Sequence, residues 1–163
     1  MRITGGGERD LVLDFDEDEA GLIRQLTQEM RTLLEAEVPK EDPVVARLFP
    51  EAYEDPEDER KYEEMTGGDL RRDKLRALEE IEETLGPGGA ARVGLTPDAA
   101  SAWLAWMNDV RLAVGTRLGV TEETMETDPD PKSPEAPAYS VLHWLGWIQA
   151  SIIERLEPIR GTD

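Results

Sequence analysis

The side chains able to do chemistry in this chain are almost all carboxylates. Its 163 residues include 37 Asp and Glu, no Cys and one His. The run Asp14-Phe15-Asp16-Glu17-Asp18 has the alternating acids with which a calcium loop begins. An EF-hand loop also needs Gly at its sixth position and Glu at its twelfth. Counted from Asp14, those positions hold Glu19 and Gln25. The run therefore reads as a helix N-terminus, where acids cap amides and meet the positive end of the dipole. Gly5-Gly6-Gly7 and Gly86-Pro87-Gly88-Gly89 are turn and linker glycines, because no Lys-Ser/Thr pair follows either run. Without Cys there is no disulfide, thiolate nucleophile or Cys-bound metal. A single His, His143, rules out a His-rich metal site. Acids are so common that no one pair marks a general acid and base. The sequence thus names no catalytic residue, no metal site and no cofactor, and it predicts a protein that is not an enzyme. The rival reading is a carboxylate-dependent metal enzyme such as a small hydrolase, which would need acids converging in a concave pocket.

Charge speaks to partners. Eighteen Lys and Arg leave a net −19, divided as −14 on residues 1–86 and −5 on residues 87–163. Duplex binding depends on basic side chains neutralising phosphates. The densest basic run, Arg71, Arg72, Lys74 and Arg76, is interrupted by Asp73. Direct DNA binding would require those four to form one continuous exposed stripe. A basic protein surface would instead be drawn to the acidic half. The start, Met1-Arg2-Ile3-Thr4-Gly5-Gly6-Gly7, lacks the apolar core of a signal peptide. Val141 to Ile153 is broken by His143, Gln149 and Ser151 and is shorter than the roughly 20 apolar residues that span a bilayer. The expected location is the cytoplasm, with no membrane partner.

The elements that must position these groups are mainly helical. Ile3-Thr4, three glycines and Leu11-Val12-Leu13-Asp14-Phe15 read as a hairpin, with Leu11, Leu13 and Phe15 on one face. Asp16 then caps a helix that runs to about Val38, with Leu22, Ile23, Leu26, Met30, Leu33 and Leu34 in one stripe. Asp42-Pro43 and Asp55-Pro56 each place a capping Asp before Pro at the first helical position. The second of these helices is expected to break at Gly67-Gly68, and another to run from about Asp69 to Leu85. Arg92-Val93-Gly94-Leu95 is a third short strand, followed by a helix from Thr96 that Gly119 ends. This passage echoes the N-terminus: Leu13 to Asp18 lines up with Val93 to Asp98, and Ile23 and Leu26 with Trp103 and Trp106. Two strand-to-helix units on one small sheet would explain it. Residues 127–137 hold four prolines and read as an internal linker, and Tyr139 to about Leu156 is the last helix. The fold expected for residues 1–163 is one mainly α domain with a small N-terminal β-hairpin or three-stranded sheet.

Two helices carry residues that packing alone does not explain. Arg111 falls on the apolar face of the helix after Thr96, and Arg117 on the edge of that face. A charge there must be paired or must snorkel, so a carboxylate from another helix is expected to hold Arg111. On the last helix, His143 and Trp147 fall opposite the apolar face, and an outward indole invites a partner. With Trp144 between them, His143 and Trp147 make a candidate protein interface.

Several stretches resemble an actinobacterial family. Asn108-Asp109-Val110-Arg111-Leu112-Ala113-Val114-Gly115-Thr116-Arg117-Leu118-Gly119-Val120 is similar to its signature. Ala46-Arg47-Leu48-Phe49-Pro50-Glu51-Ala52-Tyr53, Asp69-Leu70-Arg71 with Lys74-Leu75, and Ala138-Tyr139 through Trp144-Leu145-Gly146 fit its other blocks, in order. The family is one of domains of unknown function that includes the oxidative-stress transcriptional regulators called AosR. The resemblance implies a cytoplasmic regulator of redox-responsive transcription, acting through a sigma factor or RNA polymerase rather than catalysing a reaction. With no Cys, direct sensing of oxidant would fall to methionines. The sequence leaves a homodimer open.

Overall fold

The computed structural model describes residues 1–6, 9–35, 42–49, 55–119 and 130–156. Among these the order is β1 (Arg2–Gly6), β2 (Arg9–Phe15), α1 (Glu17–Glu35), α2 (Pro43–Leu48), α3 (Pro56–Leu85), β3 (Ala91–Leu95), α4 (Pro97–Leu118) and α5 (Ala136–Leu156). The mainly helical fold with a small sheet is as the sequence predicts. The sheet is antiparallel with order β1-β2-β3. A Cβ on Gly5, at φ 85°, would collide with the Asp10 carbonyl, so the hairpin turn needs glycine there.

One face of the sheet builds the core. Ile3, Leu11, Leu13, Phe15, Ala91, Val93 and Leu95 are all buried against the helices. Strand side chains alternate between faces, so Arg2, Asp14 and Arg92 share the outer face, in register. The echoed segments form two strand-to-helix units, β2-α1 and β3-α4. The ladder sets Leu13 opposite Val93, the two residues that the internal alignment equates. The axis relating the units thus passes through that pair. Ile23, Leu26, Trp103 and Trp106, equated by the same alignment, are all buried. The Phe15 and Trp103 rings stack at 5.9 Å, and Trp106 meets Trp103 edge-on at 5.9 Å.

Caps set the helix ends as expected. The Glu19 amide donates to Asp16 Oδ1 at 2.8 Å, and the Asp16 amide donates back to Glu19 Oε1 at 3.0 Å. This reciprocal box is the cap expected at Asp16. Asp42, Asp55 and Thr96 each accept from amides in the first turns of α2, α3 and α4. Gly119 ends α4 in the left-handed conformation, at φ 67°.

Two boundaries differ from the sequence reading. Helix α3 runs unbroken through Gly67-Gly68 for 30 residues. Each glycine costs a helix about 1 kcal/mol relative to Ala, which is too little to break one with strong formers on both sides and Leu78, Ile81 and Leu85 buried at its end. Helix α5 begins at Ala136 rather than Tyr139. Pro137 falls in its first turn, where a missing N–H costs nothing. Of the expected linker, residues 130–135 form turns and 136–137 belong to α5, while its first three residues, 127–129, and the expected end of α1 near Val38 lie outside the described residues.

Candidate functional site

Helix α3 reaches three neighbours through two cations one turn apart. Lys74 Nζ donates to Asp109 Oδ1 and Oδ2 on α4 at 2.8 and 2.9 Å. Arg71 Nη1 donates to the Leu34 carbonyl in the last turn of α1 at 2.6 Å. Both cations flank the ring of Phe49, the residue that closes α2, at 5.3 and 5.9 Å from its centroid. One node therefore ties α1, α2 and α4 to α3. Asp109 is 8% exposed. Burial pushes its carboxyl above the ordinary value of 3.8, and Lys74 opposes that shift by hydrogen bond and charge. This geometry positions helices.

A second polar contact joins α4 to α5. Arg111 Nη1 donates to Gln149 Oε1 at 2.6 Å, and Gln149 Nε2 donates to the Leu104 carbonyl at 3.2 Å. The guanidinium lies over Gly146, where a Cβ would stand 3.5 Å from it. The carboxylate expected to hold Arg111 is replaced by a side-chain amide. Arg111 is half-buried, with Nη1 satisfied by that amide. Its Nε finds no partner. The ion pair of this motif belongs to its neighbour Asp109. Asn108 and Arg117 are exposed, and Arg117 stands in the last turn of α4, where a cation favours the dipole.

The four-residue basic run is split by the helix. Arg71 and Lys74 turn inward, while Arg72 and Arg76 are exposed and Arg76 stands 4.0 Å from Asp73. They form no continuous exposed stripe. On α5, His143 is exposed and Trp147 is 53% exposed. Trp144 departs from the candidate interface. It is half-buried with its ring edge-on to Phe15 at 6.2 Å, because it lies toward the sheet side of α5.

Arg24 was not singled out in the sequence. Its guanidinium donates to the Leu85, Gly86 and Gly89 carbonyls at 2.9, 3.0 and 2.9 Å and so closes the C-terminus of α3. No local pattern marks it, since its partners lie more than 60 residues away and only the tertiary fold unites them. It lines an open cleft of about 290 Å³ with Gln28, Arg31, Glu82, Leu85 and Gly86. Arg31 is held there by Glu82 at 2.9 Å and by Glu35 at 3.0 Å, so both cations of the cleft are engaged. Among the described residues no three His, Asp or Glu side chains gather closely enough to hold a metal ion. Among the same residues no helix is long and apolar enough to cross a membrane.

The node and the α4–α5 contact draw together Phe49, Arg71, Lys74, Asp109, Arg111 and Gly146, one or more from every stretch that carries the family resemblance. A family described as a domain of unknown function, DUF2017, matches residues 1–156. The chain belongs to the DUF2017 family. Among curated proteins it is similar to the oxidative stress regulator AosR of Mycobacterium tuberculosis, 30% identical over 126 residues, which is 69% of this chain and 57% of that protein. The AosR of Mycobacterium bovis matches at the same identity and coverage. The chain thus spans 57% of the length of these relatives. No solved structure matches it.

Proposed function

We propose that this DUF2017 member is a non-enzymatic cytoplasmic regulator of transcription that works through protein contacts. The relatives' names supply the regulatory role. The inward turn of Arg71 and Lys74 carries the mechanism. It spends two of the four clustered cations on internal bonds and leaves an acidic surface unsuited to gripping phosphate. A basic face of a sigma factor or of RNA polymerase would be attracted to that surface, and Trp147 offers an aromatic anchor of the kind that dominates binding energy.

The test is affinity capture of the tagged chain from its native cytoplasm, with and without oxidant, read by mass spectrometry. RNA polymerase or a sigma factor should be recovered, and Trp147→Ala should reduce the yield while leaving the far-ultraviolet dichroism unchanged. Recovery of the bait alone, or tight sequence-selective DNA binding by the purified chain in a gel shift, would overturn the proposal.

A further inference from the structure

The two edges of the sheet are treated differently. At β1, Arg155 Nη1 donates to the Gly5 carbonyl at 2.9 Å, and a Cβ on Gly6 would stand only 3.1 Å from Arg155. The end of α5 thereby covers that edge at Gly5 and Gly6. Strand β3 is the last of the sheet, and beyond its ladder with β2 no hydrogen bond among the described residues reaches the backbone of residues 91–95. Backbone groups seek partners, and among these residues nothing pairs the outer edge of β3. Proteins commonly blunt such an edge with short strands, charged side chains, Pro or a bulge. Strand β3 has neither Pro nor a bulge, its register with β2 is continuous, and its one charge, Arg92, lies 3.8 Å from Asp14 on the outer face. The sheet's internal symmetry marks the same position. Strands β2 and β3 are equivalent across the Leu13·Val93 pair, and β2 already carries an antiparallel neighbour, β1, on the edge that corresponds to this one.

We propose that the outer edge of β3 is a self-association surface, on which a second copy of this chain adds its own β3 antiparallel across a two-fold axis. The sequence of the strand is complementary to itself about Val93. Leu95 falls opposite Ala91 of the second copy, Val93 opposite Val93, and Arg92 opposite Gly94, so a large side chain meets a small one at each unequal pair. The helix-side row, Ala91, Val93 and Leu95, is 7%, 1% and 4% exposed and continues unbroken into the second copy. The outer row sets the strand's one charge against the residue that has no side chain. Such an isologous contact closes at two copies and leaves β1, α5 and Trp147 free on each. It is independent of the transcriptional reading.

Gly94 supplies the test. Its φ lies outside the left-handed region, and a Cβ there meets nothing within 4 Å, so a side chain is accommodated in the single chain. Sedimentation equilibrium of the full chain over a concentration series should show a monomer–dimer equilibrium. The buffer should hold at least 0.15 M salt, which shortens the Debye length to about 8 Å and screens the −19 on each copy. Gly94→Glu places a carboxylate opposite Arg92 twice across the axis and should tighten the dimer about fivefold. Gly94→Lys should weaken it by about the same factor. Dichroism spectra and melting at dilution confirm that both variants fold. A chain that is monomeric throughout overturns the proposal. So does a dimer that the two variants leave unmoved or shift in the same direction, or one that Trp147→Ala abolishes.

Discussion

Replacing Lys74 with Met removes the cation from a contact that is nearly dry. The side chains of Lys74 and Asp109 are 15% and 11% exposed, and the ammonium bonds both carboxylate oxygens. Met preserves most of the aliphatic stem but strands the carboxylate. Breaking one partner of a buried pair costs about 3–5 kcal/mol. Residual exposure of both groups, and the ease with which the already raised Asp109 takes a proton, bring the expected loss to about 3 kcal/mol. For a chain of this size that is roughly 6–12 °C in Tm. Asp109→Leu should cost a similar amount by stranding Lys74. The double variant should recover most of the loss, because an apolar pair of similar volume needs no desolvation of charge. The assay is urea denaturation at pH 7, with the midpoint compared at constant slope. Either single variant within about 0.5 kcal/mol of wild type, or a double variant that loses the sum of the two, would refute the claim that this pair fastens α3 to α4.

Three further expectations follow from the same contacts. Arg111→Met should lower stability by about 1.5 kcal/mol, the lower end for a hydrogen bond to a charged group, since the uncharged Gln149 amide leaves no charge stranded; a loss above about 3 kcal/mol in the same urea assay would point to a stranded carboxylate instead. Arg24→Ala removes three charge-assisted bonds to the C-terminus of α3 and should cost about 2 kcal/mol, with hydrogen exchange accelerated at the amides of residues 86–90. Asp109 takes its proton more readily in the folded chain than in the unfolded one, so its titration raises stability as pH falls from above its folded pKa toward the ordinary value of 3.8. Wild type should therefore gain on Asp109→Asn as pH is lowered through that window. A difference in denaturation midpoint that is flat or opposite in sign between pH 7 and pH 4 would contradict this.

The sequence by itself determined the elements whose causes are local. Asp16, Asp42, Asp55 and Thr96 mark helix starts because a short polar side chain is needed within three residues of the amides it caps. Gly119 marks an end because the chain must turn left-handed there. Alternation in β2 and the spacing of Ile23, Leu26, Met30 and Leu34 named part of the core, since each buried face repeats with its own period. The internal echo was also legible, because the two strand-to-helix units share one pattern. The outward position of Trp147 followed from the same angular arithmetic.

Tertiary structure decided what depends on partners distant in the chain. The angular position of Arg111 correctly marked it as in need of a partner, yet Gln149 rather than an acid meets it, because α5 approaches closely at Gly146 and brings that amide within reach. Lys74 and Arg71 read as surface cations in a polar run. They become internal ties only because Asp109, Leu34 and Phe49 arrive from three other elements. The unbroken α3 is a balance of the same kind. Two glycines weaken a helix locally, and burial of its far end against the rest of the fold outweighs them.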